Sequence, residues 1–330
     1  MFRVVKPSRI LPLVLLLSSA AAPAIAQNPD LILSQAERDS ILKDYRSIFP
    51  IWGRQAIERG FDLPRAFGIG FNAVYLVQNI DINNLQLSTD ADPLESLDVV
   101  QFGTNTAKAL SGTIRADLWV FPFLNVYGLA GPGQANTTVE VTSPVGFTSS
   151  VDQSATTYGL GLTGAMGIKR NWLSVDVNWT WSDLEKLSDP VQIRILGFRY
   201  GRAMKLSGSK RLAFWIGTMH QKVELKTRGS IPFDEAVPPE FWDDMENIQN
   251  TPWYASLTPA QQAVVDRFVE RILASKSTTI NYGIDKALSD PWNMLVGSQL
   301  SLSKNWEFRV EGGFIGRWSI LAGMNYRLKL

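Results

Sequence analysis

The apolar positions of the chain follow two periods. Within residues 30–60 they fall at helical spacing: Ser34 with Glu37 has the form of a capping box, and Ile41, Leu42, Tyr45, Ile48 and Phe49 follow it. From Ala66 onward the period drops to two, the signature of strands. Phe67, Ile69, Phe71, Ala73, Tyr75 and Val77 alternate with Gly68, Gly70, Asn72 and Gln78. The far end is the clearest case. Trp318, Ile320, Ala322, Met324, Tyr326, Leu328 and Leu330 oppose Ser319, Leu321, Gly323, Asn325, Arg327 and Lys329, with Leu321 the one exception.

Between these limits the same pattern recurs. Residues 106–120 set Ile114, Ala116, Leu118 and Val120 against Thr113, Arg115, Asp117 and Trp119, and Phe121-Pro122-Phe123 turns the chain back into 124–140. Residues 154–168 place Tyr158, Leu160, Leu162 and Met166 opposite glycines and threonines. After Lys169-Arg170-Asn171, Leu173, Val175, Val177, Trp179 and Trp181 oppose Trp172, Ser174, Asp176, Asn178 and Thr180. Strands at 190–204 and 211–226 are joined at Ser207 to Ser209. Strands at 292–302 and from Trp306 are joined at Ser303-Lys304-Asn305, and Arg317 opens the last. That predicts ten strands. Short turns alternate with longer connections at 82–105, 141–153, 183–189 and 227–291, while the last turn, near Gly316, is short. If the segment around Ile280 also enters the sheet, twelve is the rival count.

The first 26 residues change the picture. Arg3, Lys6 and Arg9 precede an apolar run from Ile10 to Leu17, and Ala24-Ile25-Ala26 has the form of a cleavage site. The run is too short to span a bilayer as a helix, so 1–26 reads as a cleaved export signal. Without its three basic residues the chain holds 29 basic and 31 acidic residues, which leaves no electrostatic footprint for nucleic acid. There is no cysteine, which excludes disulfides and thiol chemistry, and the single histidine excludes a His-rich zinc site. The full sequence carries eleven Trp, eight Tyr and sixteen Phe, in an exported chain with no helical span.

Strands this long, with an even count and alternating turn lengths, point to an all-β transmembrane, antiparallel, up-and-down barrel. Trp179, Trp181, Trp292, Trp306 and Trp318 lie near strand ends, where aromatic girdles sit. The organisation is then a signal at 1–26, a helical segment at 27–65, either periplasmic or tucked into the barrel mouth, and the barrel at 66–330. Gly323-Met324-Asn325-Tyr326-Arg327-Leu328 is similar to the Gly-x-x-aromatic-x-hydrophobic signal read by the barrel-assembly machinery, although the chain ends in Lys329-Leu330 rather than Phe. Over 66–330 the chain thus resembles Gram-negative outer-membrane β-barrels. The resemblance implies an outer-membrane setting with lipid and that machinery as partners, and it implies no particular activity.

Polar faces must then point inward. The expected lumen charges are Arg115, Asp117, Asp176, Arg194, Glu307, Arg309, Glu311 and Arg327, with Glu307 and Arg327 placed to pair. Ten strands leave a narrow bore, since eight just fill with side chains. The long loop at 227–291 carries a helix start, Thr258-Pro259-Ala260-Gln261, and an apolar stripe of Val264, Val265, Phe268, Val269, Ile272 and Leu273. That helix is expected as a lid on the rim, a gate in the lumen, or a docking surface within 230–288. Phe241, Trp242, Asp243, Asp244, Met245 and Glu246 form an acidic-aromatic patch beside it. The expected role is a narrow gated channel, admitting some small solute, or a structural envelope protein, in either case without catalysis, cofactor or metal. The rival is a lipid-acting hydrolase using His220, for which no nucleophile motif is present.

Overall fold

The computed structural model describes residues 33–89, 94–96, 100–143, 146–168, 171–224, 226–274 and 279–328. The export signal, Lys169-Arg170 and Lys329-Leu330 lie outside those residues. The N-terminal part holds helices α1 (Gln35–Lys43) and α2 (Gly53–Glu58). Ser34 caps α1 in a complete capping box with Glu37. The helical spacing of the sequence overran α1. Tyr45, Ile48 and Phe49 lie beyond it, since the helix ends at Lys43 with Asp44 as its C-cap.

Ten long strands close into one antiparallel cylinder. In order around it they are β1 (Phe67–Thr89), β4 (Asn105–Phe121), β5 (Leu124–Ser143), β6 (Phe147–Ile168), β7 (Asn171–Leu184), β8 (Val191–Lys205), β9 (Arg211–Val223), β12 (Trp292–Ser301), β13 (Trp306–Phe314) and β14 (Arg317–Leu328). The last strand returns to the first, pairing from Phe67 against Leu328 to Gln78 against Arg317. No edge is left open there, which satisfies the backbone in lipid. No helix among the described residues is long and apolar enough to cross a membrane.

The strands run farther than their sequence pattern. The expected loop at 82–105 begins inside β1, and the one at 141–153 lies largely in β5 and β6. Above the cylinder β1 continues to Thr89 with new partners. β2 (Glu95–Ser96) and β11 (Thr279–Leu288) pair with it, β10 (Lys226–Pro232) pairs with β11, and β3 (Gln101–Phe102) pairs with β5. Ile280 therefore belongs to a strand outside the ten, stacked above β14 on the same edge of β1. Between β10 and β11 lie α3 (Phe233–Ala236), α4 (Glu240–Glu246), a 3₁₀ turn (Ile248–Asn250), α5 (Pro252–Ala255) and α6 (Pro259–Ala274).

The turns between β4 and β5, β8 and β9, and β12 and β13 share one end with the start of β1 and the end of β14. The β13–β14 turn at the other end is tight. Ile315 (φ 66°) and Gly316 (φ 85°) both take the left-handed conformation that a two-residue hairpin of matching twist requires. Glycine adopts it freely, whereas a β-branched isoleucine does so against its own sterics.

Candidate functional site: the lumen and its plug

Alternation fixes which side chains line the lumen. Ile69, Phe71, Leu160, Leu162, Val296, Val310 and Ile320 are exposed on the outside, while Asp117, Asn125, Asp176, Arg199, Glu311 and Arg327 are buried within. On the outer face Trp306 meets Tyr326 at one end, with ring centroids 4.8 Å apart. At the other end Trp318 meets Tyr75 at 5.7 Å and Trp181 meets Tyr158 at 5.9 Å. Trp179 shares the face of Leu160, and Trp292 is exposed on β12. Tyr326 and Trp318 stand about 27 Å apart along β14. At a tilt of ~40° that is about 21 Å of height, close to the apolar band of such barrels.

Inside, four arginines face four carboxylates. Near the end where β14 finishes, Arg327 donates to Asp117 at 3.1 Å and to Glu307 at 2.8 Å, and the second of these is the pairing the sequence suggested. Asn125 donates to Asp117 at 2.7 Å, and Arg115 donates to Asn125 at 3.0 Å while lying 3.6 Å over the Tyr127 ring. At mid-height Arg199 grips Glu311 through both Nε (2.6 Å) and Nη2 (2.8 Å) and also bonds Asp176. Glu311 accepts further bonds from Arg309 at 2.8 Å and the Trp215 indole N–H at 2.6 Å. The Tyr127 hydroxyl donates to Asn178, whose amide donates to Asp176 at 3.2 Å. A Cβ on Gly297 would collide with the Trp215 ring, so glycine there lets the indole reach Glu311. The web joins β4, β5, β7, β8, β9, β13 and β14 across the bore. Its charges sum to zero, as burial demands when an unpaired ion costs several kcal/mol.

Arg194 does not belong to this web. Its register partner Trp179 is on the outer face, and Arg194 is exposed and bonds Gln192 at 2.8 Å. The inward arginine of β8 is Arg199, five residues on and therefore of opposite parity. Sequence reading missed it. Its signal was Phe198 and Tyr200, whose outward apolar faces put Arg199 inside.

The mouth above the lipid is filled differently. Ile231 pairs with Ile280, and Leu87 pairs with Tyr282, so each pair shares a face. With Phe147 and Val151 they meet Phe233, Phe241, Trp242, Met245, Ile248, Val265, Val269 and Ile272 in one apolar core. Phe241 stacks edge-on against Phe147 at 4.9 Å. Lys186 pairs with Glu235 at 2.7 Å, and the Tyr282 hydroxyl donates to the Lys186 carbonyl at 3.1 Å, tying wall to plug. Tyr254 donates to Asp266 at 2.8 Å, which joins α5 to α6 and holds the phenol above its ordinary pKa.

The α6 stripe is therefore mostly covered. Of its six residues Val264 alone is exposed, which removes the stripe as a docking face. The acidic-aromatic patch is divided as well: Phe241, Trp242 and Met245 point into the core while Asp243, Asp244 and Glu246 are exposed. At the opposite mouth Asp62 pairs with Arg211 and lies 3.4 Å from Lys304. Burial first, then Arg211 and Arg65, hold the Lys304 amine below its ordinary pKa. Ile51 donates to the Val120 carbonyl at 2.8 Å, so the N-terminal segment is fastened to this rim.

His220 pairs in register with Trp292 and Leu196 on the outer face, its ring 4.9 Å from the indole of Trp292. Among the described residues no serine or carboxylate hydrogen-bonds to it. A histidine in the aromatic belt is not set for the acyl chemistry the sequence left open.

No protein-family model and no curated protein matches the chain. Several solved structures align over most of its length. The β domain of the Bordetella autotransporter BrkA matches at 10% identity and a TM-score of 0.37, covering 80% of this chain and 100% of that one. OprG from Pseudomonas aeruginosa matches at 13% and 0.38, covering 81% and 98%. The translocator domain of NalP from Neisseria meningitidis matches at 9% and 0.34, covering 91% and 100%. Scores this low do not define a common fold, and the barrel's own faces carry the reading. An antiparallel cylinder that turns apolar side chains outward over the height of a bilayer's hydrocarbon has lipid as its solvent there, and the chain is accordingly a ten-strand β-barrel of the outer-membrane type.

Proposed function

We propose that this barrel is a non-catalytic, narrow channel held shut by two closures in series. The carrying observation is that the helices α3–α6 pack on lumen-facing side chains of the strand ends, not on the outside of the rim. A plug on that face blocks any path to the bore. Beneath it the neutral ionic web fills the second level, and charged lumen side chains are the usual means of selecting a solute. The setting is the outer membrane of a Gram-negative cell, reached by export on a signal cleaved after Ala26. Assembly uses β14, whose pairing with β1 closes the wall.

The bidentate grip of Arg199 on Glu311 favours a second reading, a permanently sealed structural barrel. Conductance in planar bilayers separates the two. Deleting 233–274, so that 275–278 joins β10 to β11, is expected to give small openings. Combining the deletion with Glu311→Gln is expected to enlarge them. Silence in all forms of correctly folded protein overturns the channel and leaves the sealed barrel.

A further inference from the structure

Outside one short run, the N-terminal segment covers its large apolar side chains. Leu33 and Ile57 are buried, and Ile41, Leu42, Tyr45, Phe61 and Leu63 are half-buried. Residues 48–52 do the reverse. Ile48 is 81% exposed, more than any other large apolar side chain among the described residues, and Trp52 and Ile51 are exposed beside it. The run is nonetheless fixed in place. Ile51 donates to the Val120 carbonyl at 2.8 Å, Gly53 to the Pro50 carbonyl at 2.8 Å, and Ala56 to the Trp52 carbonyl at 3.0 Å. Trp52 takes φ 67°, a conformation that a bulky residue adopts only when its surroundings hold it there.

Those surroundings are the outer face of the barrel. The Trp52 ring lies 5.0 Å from that of Phe121 and 6.3 Å from that of Phe123, and the two phenyl rings stack on each other at 5.5 Å. Phe121 pairs in register with Leu124, and Leu124 with Gly164, two residues from outward Leu162. Cross-strand partners share a face, so Phe121 points outward. The β4–β5 turn lies at the same end of the cylinder as the β12–β13 turn, which leads into the girdle pair Trp306 and Tyr326. Phe123, itself exposed, and Trp52 therefore continue that girdle sideways from the wall onto the N-terminal segment.

We infer that residues 48–52 form a wedge that sits in the leaflet at this end of the barrel, with lipid as its occupant. The apolar patch of Ile48, Ile51, Trp52 and Phe123 is continuous with a wall whose solvent is already lipid, and an apolar surface of this kind facing water marks an interaction site. The sequence has the matching order of polarity. Exposed Arg46 and Arg54 bracket the apolar run, so their cations can stay among headgroups while Ile48 and Trp52 enter the boundary with the acyl chains. The wedge would fasten the N-terminal segment to the membrane as well as to the rim, and it does so whether or not the lumen conducts.

The test is the depth of a spin label on the full chain in lipid vesicles. The chain has no cysteine, so single sites can be labelled without altering it elsewhere. Ile48→Cys is the test site, lipid-facing Leu160→Cys the membrane reference, and exposed Gln55→Cys on α2 the aqueous one. All three positions are exposed, so the fold should tolerate each. Relaxation of the Ile48 label by oxygen, relative to a water-soluble nickel chelate, is expected to be severalfold higher than at Gln55 and to approach that at Leu160. A ratio at Ile48 equal to that at Gln55 overturns the wedge. Oxygen access that gives way to label–label broadening as protein density rises makes a second copy the occupant, and overturns lipid in that role.

Discussion

Strand β6 passes through two environments without a change of register, and its two halves invert. Below, its outward side chains are Tyr158, Leu160, Leu162 and Met166, and its inward ones are Gly159, Gly161 and Thr163. Above, the outward ones are Thr148, Ser150, Asp152, Ser154 and Thr156, while Phe147 and Val151 face in. β8 does the same: Ile193 and Ile195 face in where Gln192 and Arg194 face out, then Leu196, Phe198 and Tyr200 face out. The lower barrel is apolar outside and ionic inside because lipid is its solvent. The upper barrel is polar outside and apolar inside because water is, and the plug supplies the partner surface. One wall thus obeys both rules, and the switch marks the membrane surface more sharply than the girdle tryptophans do.

Breaking the ionic half should have the largest effect. Glu311→Ala leaves Arg199 and Arg309 without their shared acceptor and is expected to cost about 3–5 kcal/mol. Urea unfolding in lipid vesicles measures it. For the apolar half, Ile248 is fully buried in the plug, and Ile248→Ala should cost about 3 kcal/mol. Here the loss should appear as faster proteolysis of 233–274 with the barrel itself intact. A unit loss of barrel stability instead would mean that the two halves fold as one.

The inversion itself is tested on one face of one strand. Leu162→Arg, in the lipid, is expected to cost about 2–4 kcal/mol and to slow membrane insertion. Ser154→Leu, on the same face above the lipid, should change stability by less than about 0.5 kcal/mol. Equal effects would place the membrane surface elsewhere.

The smallest expected effect lies outside both halves. Ser34→Ala should weaken α1 by about 1 kcal/mol, read from the amide exchange of that helix. The capping bonds from Ser34 hold the Glu37 carboxyl below its ordinary value. A group whose pKa is depressed on folding stabilises above its unfolded pKa and loses that contribution as pH falls through the folded one. Acid should therefore loosen α1 in the wild type from about pH 4.5 downward and have little further effect in Ser34→Ala.

The lipid-facing halves of the strands were legible because each holds one phase for its full height. Hence the cylinder's ten strands, most of its turns, and the lumen positions of Asp117, Asp176, Glu311 and Arg327 could be read from alternation. Residues 141–153 look like a loop because the apolar phase inverts there, and Arg194, expected inside, is outside for the same reason: it lies at the watery end of β8, where the outer face is polar. The α6 stripe announced that it needed a cover, but no local pattern says that the cover is the inside of the strands' own ends.

What the sequence determined by itself was the solvent of each face, since period and polarity are local and the bilayer imposes them residue by residue. Only the tertiary structure decided which charges meet. The grip of Arg199 on Glu311 depends on strands brought together by closure across more than a hundred residues, and ion pairing is a matter of a few ångströms that alternation does not encode.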